Sequence, residues 1–141
     1  MKDQTTSAIT IETTVNAPIE KVWKTWAEPE HITKWCQASD DWHAPNSEND
    51  LRTGGKFKTT MAAKDGSFSF DFGGTYTDVV DHKKIAYSLD DNRKVVIHFS
   101  SEGNTTKIVE TFDPESVNSI DMQRDGWQAI LNNFKKYTES I

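Results

Sequence analysis

The chain has 141 residues, a net charge of −6, a single cysteine, and five tryptophans, three tyrosines and seven phenylalanines. The acidic balance excludes nucleic acid and anionic membrane surfaces as natural partners, since both are gripped by clustered Lys and Arg, and a lone Cys36 excludes an internal disulfide, as in a reducing compartment. No apolar run approaches the roughly 18 residues of a membrane span and Met1 to Thr10 has no signal-peptide core, so the expectation is one cytoplasmic domain over 1–141 without membrane insertion, 1–7 being a loose tail.

Ala8 to Val15 alternates Ile9 and Ile11 against Thr10 and Glu12, a strand pattern. Asn16-Ala17-Pro18 then starts a helix, with Asn16 or Ala17 at the cap and Pro18 near the first helical position. Pro18 to Trp26 places Ile19, Val22, Trp23 and Trp26 on one face. Glu28-Pro29-Glu30 restarts a second short helix through Trp35. Ala38 to Arg52 is polar and interrupted by Pro45 and Asn46, which reads as a loop with at most a short strand around Trp42 and His43.

Gly54-Gly55 opens a strand over Lys56 to Ala62, and Lys64-Asp65-Gly66-Ser67 is a hairpin signal. Pairing Lys64 with Ser67 sets Met61 opposite Phe70 and Thr59 opposite Phe72, and gathers Phe57, Thr59, Met61, Phe68, Phe70 and Phe72 on one face. Gly73-Gly74 predicts a bend or bulge before Thr75 to Val80. Asp81 to Lys84 turns into Ile85 to Leu89. A second hairpin joins Arg93–Ser101 to Thr105–Phe112 at Gly103-Asn104. With Glu102 opposite Thr105, Phe99 pairs with Ile108, Ile97 with Glu110 and Val95 with Phe112. Glu110 then points inward among apolar neighbours; the alternative register exposes Ile97, Phe99, Ile108 and Phe112 together.

Asn118 to Glu139 reads as one amphipathic helix, capped by Asn118 with Asp121 three residues on. Its stripe is Ile120, Trp127, Ile130, Leu131, Phe134 and Ile141, and at 1.5 Å per residue it is roughly 33 Å long, enough to cross a sheet. Gln123 and Gly126 interrupt the stripe. A glycine there marks either a tight contact or a needed gap. Either Gln123 reaches solvent beside locally packed neighbours, or the C-terminal half seals a core while the N-terminal half roofs a cavity. The expected fold class is α+β: a curved antiparallel sheet wrapped around its long C-terminal helix, with two short helices after the first strand.

Four anchors carry a family resemblance. Ala17-Pro18-Ile19-Glu20-Lys21-Val22-Trp23 resembles the opening of the START-like (SRPBCC, Bet v 1-like) superfamily. Glu28-Pro29-Glu30-His31-Ile32-Thr33-Lys34-Trp35, Asp50-Leu51-Arg52-Thr53-Gly54-Gly55-Lys56-Phe57 and Gly126-Trp127-Gln128-Ala129-Ile130-Leu131-Asn132-Asn133-Phe134 are similar to motifs of the subgroup related to the C-terminal domain of the heat-shock protein 90 ATPase activator. The resemblance spans Ala8 to Glu139. It implies the helix-grip fold with a cavity between helix and sheet, and a link to chaperones and the stress response. Cys36 stands where many relatives carry a second tryptophan, a departure that implies an altered cavity. The superfamily holds ligand binders, cyclases and cochaperones, so fold alone does not decide function.

His31, His43, His82 and His98 are scattered, without metal-ligand spacing, and no cofactor motif is present. A nucleophilic Cys36–His pair requires a tertiary accident. The chemistry left is an aromatic pocket with few polar groups, the make-up of a small-molecule site. The candidate lining is Trp35, Trp42, Met61, Phe70, Tyr87, Glu110, Gln123, Trp127 and Ile130. Desolvation raises the Glu110 pKa in such a place, and hydrogen bonds from Gln123, Tyr76 or Tyr87 to its charged form lower it. The first functional reading is binding of a small apolar, planar molecule such as a lipid, polyketide or flavonoid-like compound. A second is a chaperone partner, as for the activator, whose separate N-terminal domain has no counterpart in the 141 residues. A third is a cyclase- or hydrolase-type enzyme using Glu110 as general acid or base.

Overall fold

The structure is a computed structural model describing residues 8–141, so the expected loose tail at 1–7 lies outside the described residues. The elements are β1 (Ile9–Val15), α1 (Ile19–Ala27), α2 (Pro29–Trp35), β2 (Trp42–Asn49), β3 (Lys56–Ala63), β4 (Ser69–Val80), β5 (Lys84–Leu89), β6 (Lys94–Glu102), β7 (Thr105–Phe112) and α3 (Ile120–Ser140). All seven strands join one antiparallel sheet in the order β1-β7-β6-β5-β4-β3-β2. The architecture is α+β, as the sequence pattern requires.

The first strand buries Ile9, Ile11 and Val15 and exposes Thr10 and Glu12. Pro18 turns out to be the cap of α1 itself, one position before the expected first turn, and Glu28 caps α2 ahead of Pro29. The two short helices are tied together by the Trp35 indole, whose Nε1 donates to the Thr25 carbonyl at 3.0 Å.

Three expectations need correction. The polar segment after α2 is not mainly loop: β2 runs eight residues, with a register shift between His43 and Asn46. It is the last strand of the sheet, and an edge tolerates a proline such as Pro45 that has no N–H to give to the ladder. The second correction concerns Gly73-Gly74, which lie inside an unbroken twelve-residue β4. A Cβ on Gly74 would stand 2.3 Å from the Ser88 carbonyl oxygen, so glycine serves close strand approach rather than a bend. The irregularity falls further on, between Tyr76 and Asp78. Third, Ser119 caps α3 instead of Asn118: its Oγ accepts from Met122 N at 3.1 Å, while Asn118 N donates to Glu115 Oε1 at 2.6 Å.

Both hairpin registers follow the alternation. Met61 lies opposite Phe70 and Thr59 opposite Phe72; Phe99 lies opposite Ile108, Ile97 opposite Glu110 and Val95 opposite Phe112. On α3, Leu131 and Phe134 are buried, whereas Ile120 and Ile141, at the two ends of the expected stripe, are exposed. Phe134 sits in an aromatic cluster, with ring centroids 4.8 Å from Trp26 and 4.9 Å from Trp35. This cluster closes one end of the interior. Towards the N-terminus of α3 the packing opens.

Candidate functional site

Between the sheet and the N-terminal half of α3 lies a cleft of about 400 Å³. Side chains two apart on a strand share a face, and this places Phe57, Thr59 and Met61 of β3 in one wall. Phe70, Phe72 and Tyr76 of β4 and Tyr87 of β5 continue it. The end of α2 contributes Ile32, Trp35 and Cys36, and α3 contributes Gln123, Gly126, Trp127 and Ile130. Trp127 is fixed by stacking on Phe112, with centroids 3.9 Å apart and planes 8° from parallel. A Cβ on Gly126 would meet nothing within 4 Å, so this glycine marks a gap and not a tight contact.

Eight of the nine residues singled out from the sequence line the cleft: Trp35, Met61, Phe70, Tyr87, Glu110, Gln123, Trp127 and Ile130. Trp42 does not. Its ring packs edge-on against Phe68 and Phe70 at 6.1 and 6.0 Å, touching the lining residue Phe70 without lining the cleft itself. Phe57 and Phe72 were legible from the hairpin register, which puts them on the Met61 face. Tyr76 was legible as a donor near Glu110, being on the Phe70–Phe72 face of β4, and Cys36 as a change in the cavity from the resemblance, although neither was named in the lining.

Glu110 enters from β7 and is 6 % exposed. Burial alone pushes its carboxyl up to about 8. Among the described residues no hydrogen bond or salt bridge reaches that carboxyl. Of the three donors considered for it, Gln123 and Tyr76 are placed otherwise. Gln123 accepts from Glu115 N at 2.8 Å through Oε1, and its Nε2 donates to Glu115 O at 3.1 Å and Asn118 O at 2.8 Å. It clamps the segment between β7 and α3, a role its position in the stripe does not disclose. The Tyr76 hydroxyl donates to Asn49 Oδ1 at 2.5 Å, and Asn49 Nδ2 donates in turn to the Ala27 carbonyl at 2.7 Å. Tyr87 is held protonated, its pKa pushed well up by burial and then by Glu110.

Burial, with a smaller push from Glu110, also raises the Cys36 thiol to about 12. A thiol held neutral is a poor nucleophile, and among the described residues no histidine lines the cleft beside Cys36, so the Cys36–His idea gains no support. Arg93 reaches the cleft but is tied through Nε to Asp91 Oδ2 at 2.8 Å. The mouth carries Glu48, Glu115 and the exposed Met122. Away from the cleft, Glu28, Glu30 and His31 bring three donor atoms within 4.8 Å of one another at the start of α2, although no spacing rule had grouped them for metal binding. His31 Nδ1 is already engaged with the Tyr137 hydroxyl at 2.7 Å. Among the described residues no helix is long and apolar enough to cross a membrane.

Residues 16–139 match the family described as "Activator of Hsp90 ATPase homolog 1-like protein". The comparison with curated proteins gave no match. Among solved structures, an AHSA1-like protein from Aeromonas hydrophila is 45% identical, with a TM-score of 0.89 over 95% of this chain and 93% of that one. A protein from Cytophaga hutchinsonii is 61% identical, with a TM-score of 0.82 over 94% and 92% of the two chains. A protein from Chromobacterium violaceum, at 21% identity and a TM-score of 0.84 over 94% and 98%, shows the fold alone.

Proposed function

The chain belongs to the family of activator of Hsp90 ATPase homolog 1-like proteins, and from that premise we propose that its cleft binds a small, apolar, largely planar molecule of the lipid, polyketide or flavonoid-like kind. One observation carries the reading: a cleft of about 400 Å³ walled by aromatic side chains, with Gly126 leaving open space on the helix above it. Small-molecule sites have this volume and this mostly apolar lining with few polar groups. A packed core of the same residues would have closed the gap.

Ligand binding to the folded state raises its stability, by about 2.7 kcal/mol at a hundredfold excess over Kd. A thermal-shift panel of neutral planar compounds tests the reading. The expected result is a higher melting temperature together with quenched tryptophan emission. Unchanged melting and emission across many scaffolds would defeat it.

A chaperone-docking reading has an observation of its own. Phe68, Val117 and Met122 are 59%, 86% and 64% exposed, and Met122 borders the cleft. That reading expects a heat-shock ATPase to turn over faster with this protein, and Met122→Asp and Phe68→Asp to remove the effect. A carboxyl titrating near 8 is also suited to general acid–base work at neutral pH. The enzymatic reading expects Glu110→Gln to bind a substrate without turning it over.

A further inference from the structure

We propose that the cleft selects hydrophobic cations: an amine or quaternary ammonium compound whose charged head meets the Glu110 carboxylate while its apolar body lies against the aromatic walls. The inference rests on the cleft being a binding site and specifies the chemistry of what enters it.

Glu110 is the first observation. It is an acid turned into an apolar interior, and among the described residues no cationic side chain or hydrogen bond meets it; the neutral Tyr87 hydroxyl shares the cleft with it. Gln123 is committed to the segment before α3, Tyr76 to Asn49 and Arg93 to Asp91. The fold leaves this residue 6 % exposed and open only to the cleft, so a ligand cation gains a partner already largely withdrawn from bulk water before binding. The walls are the second. Phe57, Phe72, Tyr87 and Trp127 surround the same space, and the faces of aromatic rings attract cations, most strongly where water is excluded. The third is the sign of the mouth. Glu115 and Glu48 stand there, Glu48 with Lys58 Nζ at 4.0 Å, and among the described residues the one cationic side chain of the lining, Arg93, is paired with Asp91. Field lines of that sign draw cations in and repel carboxylate ligands such as fatty-acid anions.

A neutral Glu110 donating a hydrogen bond to a ligand carbonyl is the competing chemistry, and shape-matched probes separate the two. Benzyltrimethylammonium and neopentylbenzene share one shape and differ in charge; phenylacetate supplies the opposite sign. Each is titrated into the full chain by calorimetry, one pH unit above the Glu110 midpoint. The ammonium is expected to bind at least about tenfold more tightly than its uncharged isostere, and phenylacetate more weakly than both. In Glu110→Gln the preference should shrink severalfold, to what the aromatic faces and the mouth supply, while the neopentylbenzene affinity is kept. Equal or tighter binding of the uncharged isostere by the parent protein overturns the inference without needing the variant. So does an ammonium preference that is undiminished by Glu110→Gln in a folded variant. If all three probes fail while neutral planar compounds still raise the melting temperature, the cation inference falls and the binding cleft stands; if those fail too, both fall.

Discussion

Trp127 on α3 lies flat against Phe112 on β7, with ring centroids 3.9 Å apart and planes 8° from parallel. The stack is the seam at which the helix changes task. C-terminal to it, Ile130 and Leu131 still reach the cleft for one turn before Phe134 and Thr138 are buried in a closed core; N-terminal to it, Gln123 and Gly126 border the cleft. Phe134→Ala, removing a fully buried ring, is expected to cost about 3–5 kcal/mol. Gln123→Ala should cost less, about 1–3 kcal/mol, because it strands the backbone groups of Glu115 and Asn118 that the amide now satisfies. Urea unfolding of the two variants measures the difference, and equal losses would mean that the helix is packed alike along its length.

The Glu110 carboxyl sets a pH dependence of stability whose sign is opposite to that of a salt-bridged acid. Its folded value is raised from 4.5 to about 8, so between these values the native state holds a proton that the unfolded chain has released. Stability therefore falls as pH rises through this window, at up to about 1.4 kcal/mol per unit, and the full penalty applies above the folded value. The titratable and charged groups that share the cleft with Glu110 are Cys36 from the end of α2, Glu48 from β2, Tyr76 from β4, Tyr87 from β5, and Arg93 and Glu115 from the flanking loops, while α3 lines it with uncharged side chains. All are shared with Glu110→Gln. The variant should match the parent near the acid end of the window and exceed it by a few kcal/mol at the alkaline end. Parallel pH profiles in urea unfolding would show that Glu110 does not titrate in this way.

Gly126 offers a test of the gap. With nothing within 4 Å of its would-be Cβ, Gly126→Ala should stabilise the protein by about 0.5–1 kcal/mol, the helix-propensity difference. Gly126→Leu should fold as well, since its side chain enters open space, yet lose the thermal shift given by cleft ligands. A destabilised Gly126→Ala would mean that the helix is pressed against the sheet at this point.

What the sequence discloses depends on periodicity. Strict alternation along β6 and β7 leaves one register that buries Ile97, Phe99, Ile108 and Phe112, and that register carries Glu110 inward with them. The β3–β4 register follows from the Lys64–Ser67 turn in the same way. Where burial is one-sided and weak the signal fades. β2 is a polar edge strand, and its Pro45 reads as a loop until the ladder of β3 is seen beside it. Trp42 was assigned to the lining on composition, but the edge of the sheet turns it towards Phe68. Gln123 was recognised as a defect in the stripe; its partners lie in an irregular segment that no period specifies. Tyr76 follows the alternation of Phe70 and Phe72 along β4, whereas Cys36, just past the end of α2, is tied to the cavity by the family resemblance and not by any period.

The central claim is that the space under the N-terminal half of α3 is a binding site. The most direct measurement follows the backbone amide, indole and methyl NMR signals during titration with neutral planar aromatics, indole among them. The predicted result is saturable shifts concentrated at Met61, Gly126, Trp127 and Ile130, with the Phe134 and Thr138 region little changed. Shifts confined to the outer residues around Trp42 and Phe68, or no saturable shifts with any compound, would contradict it.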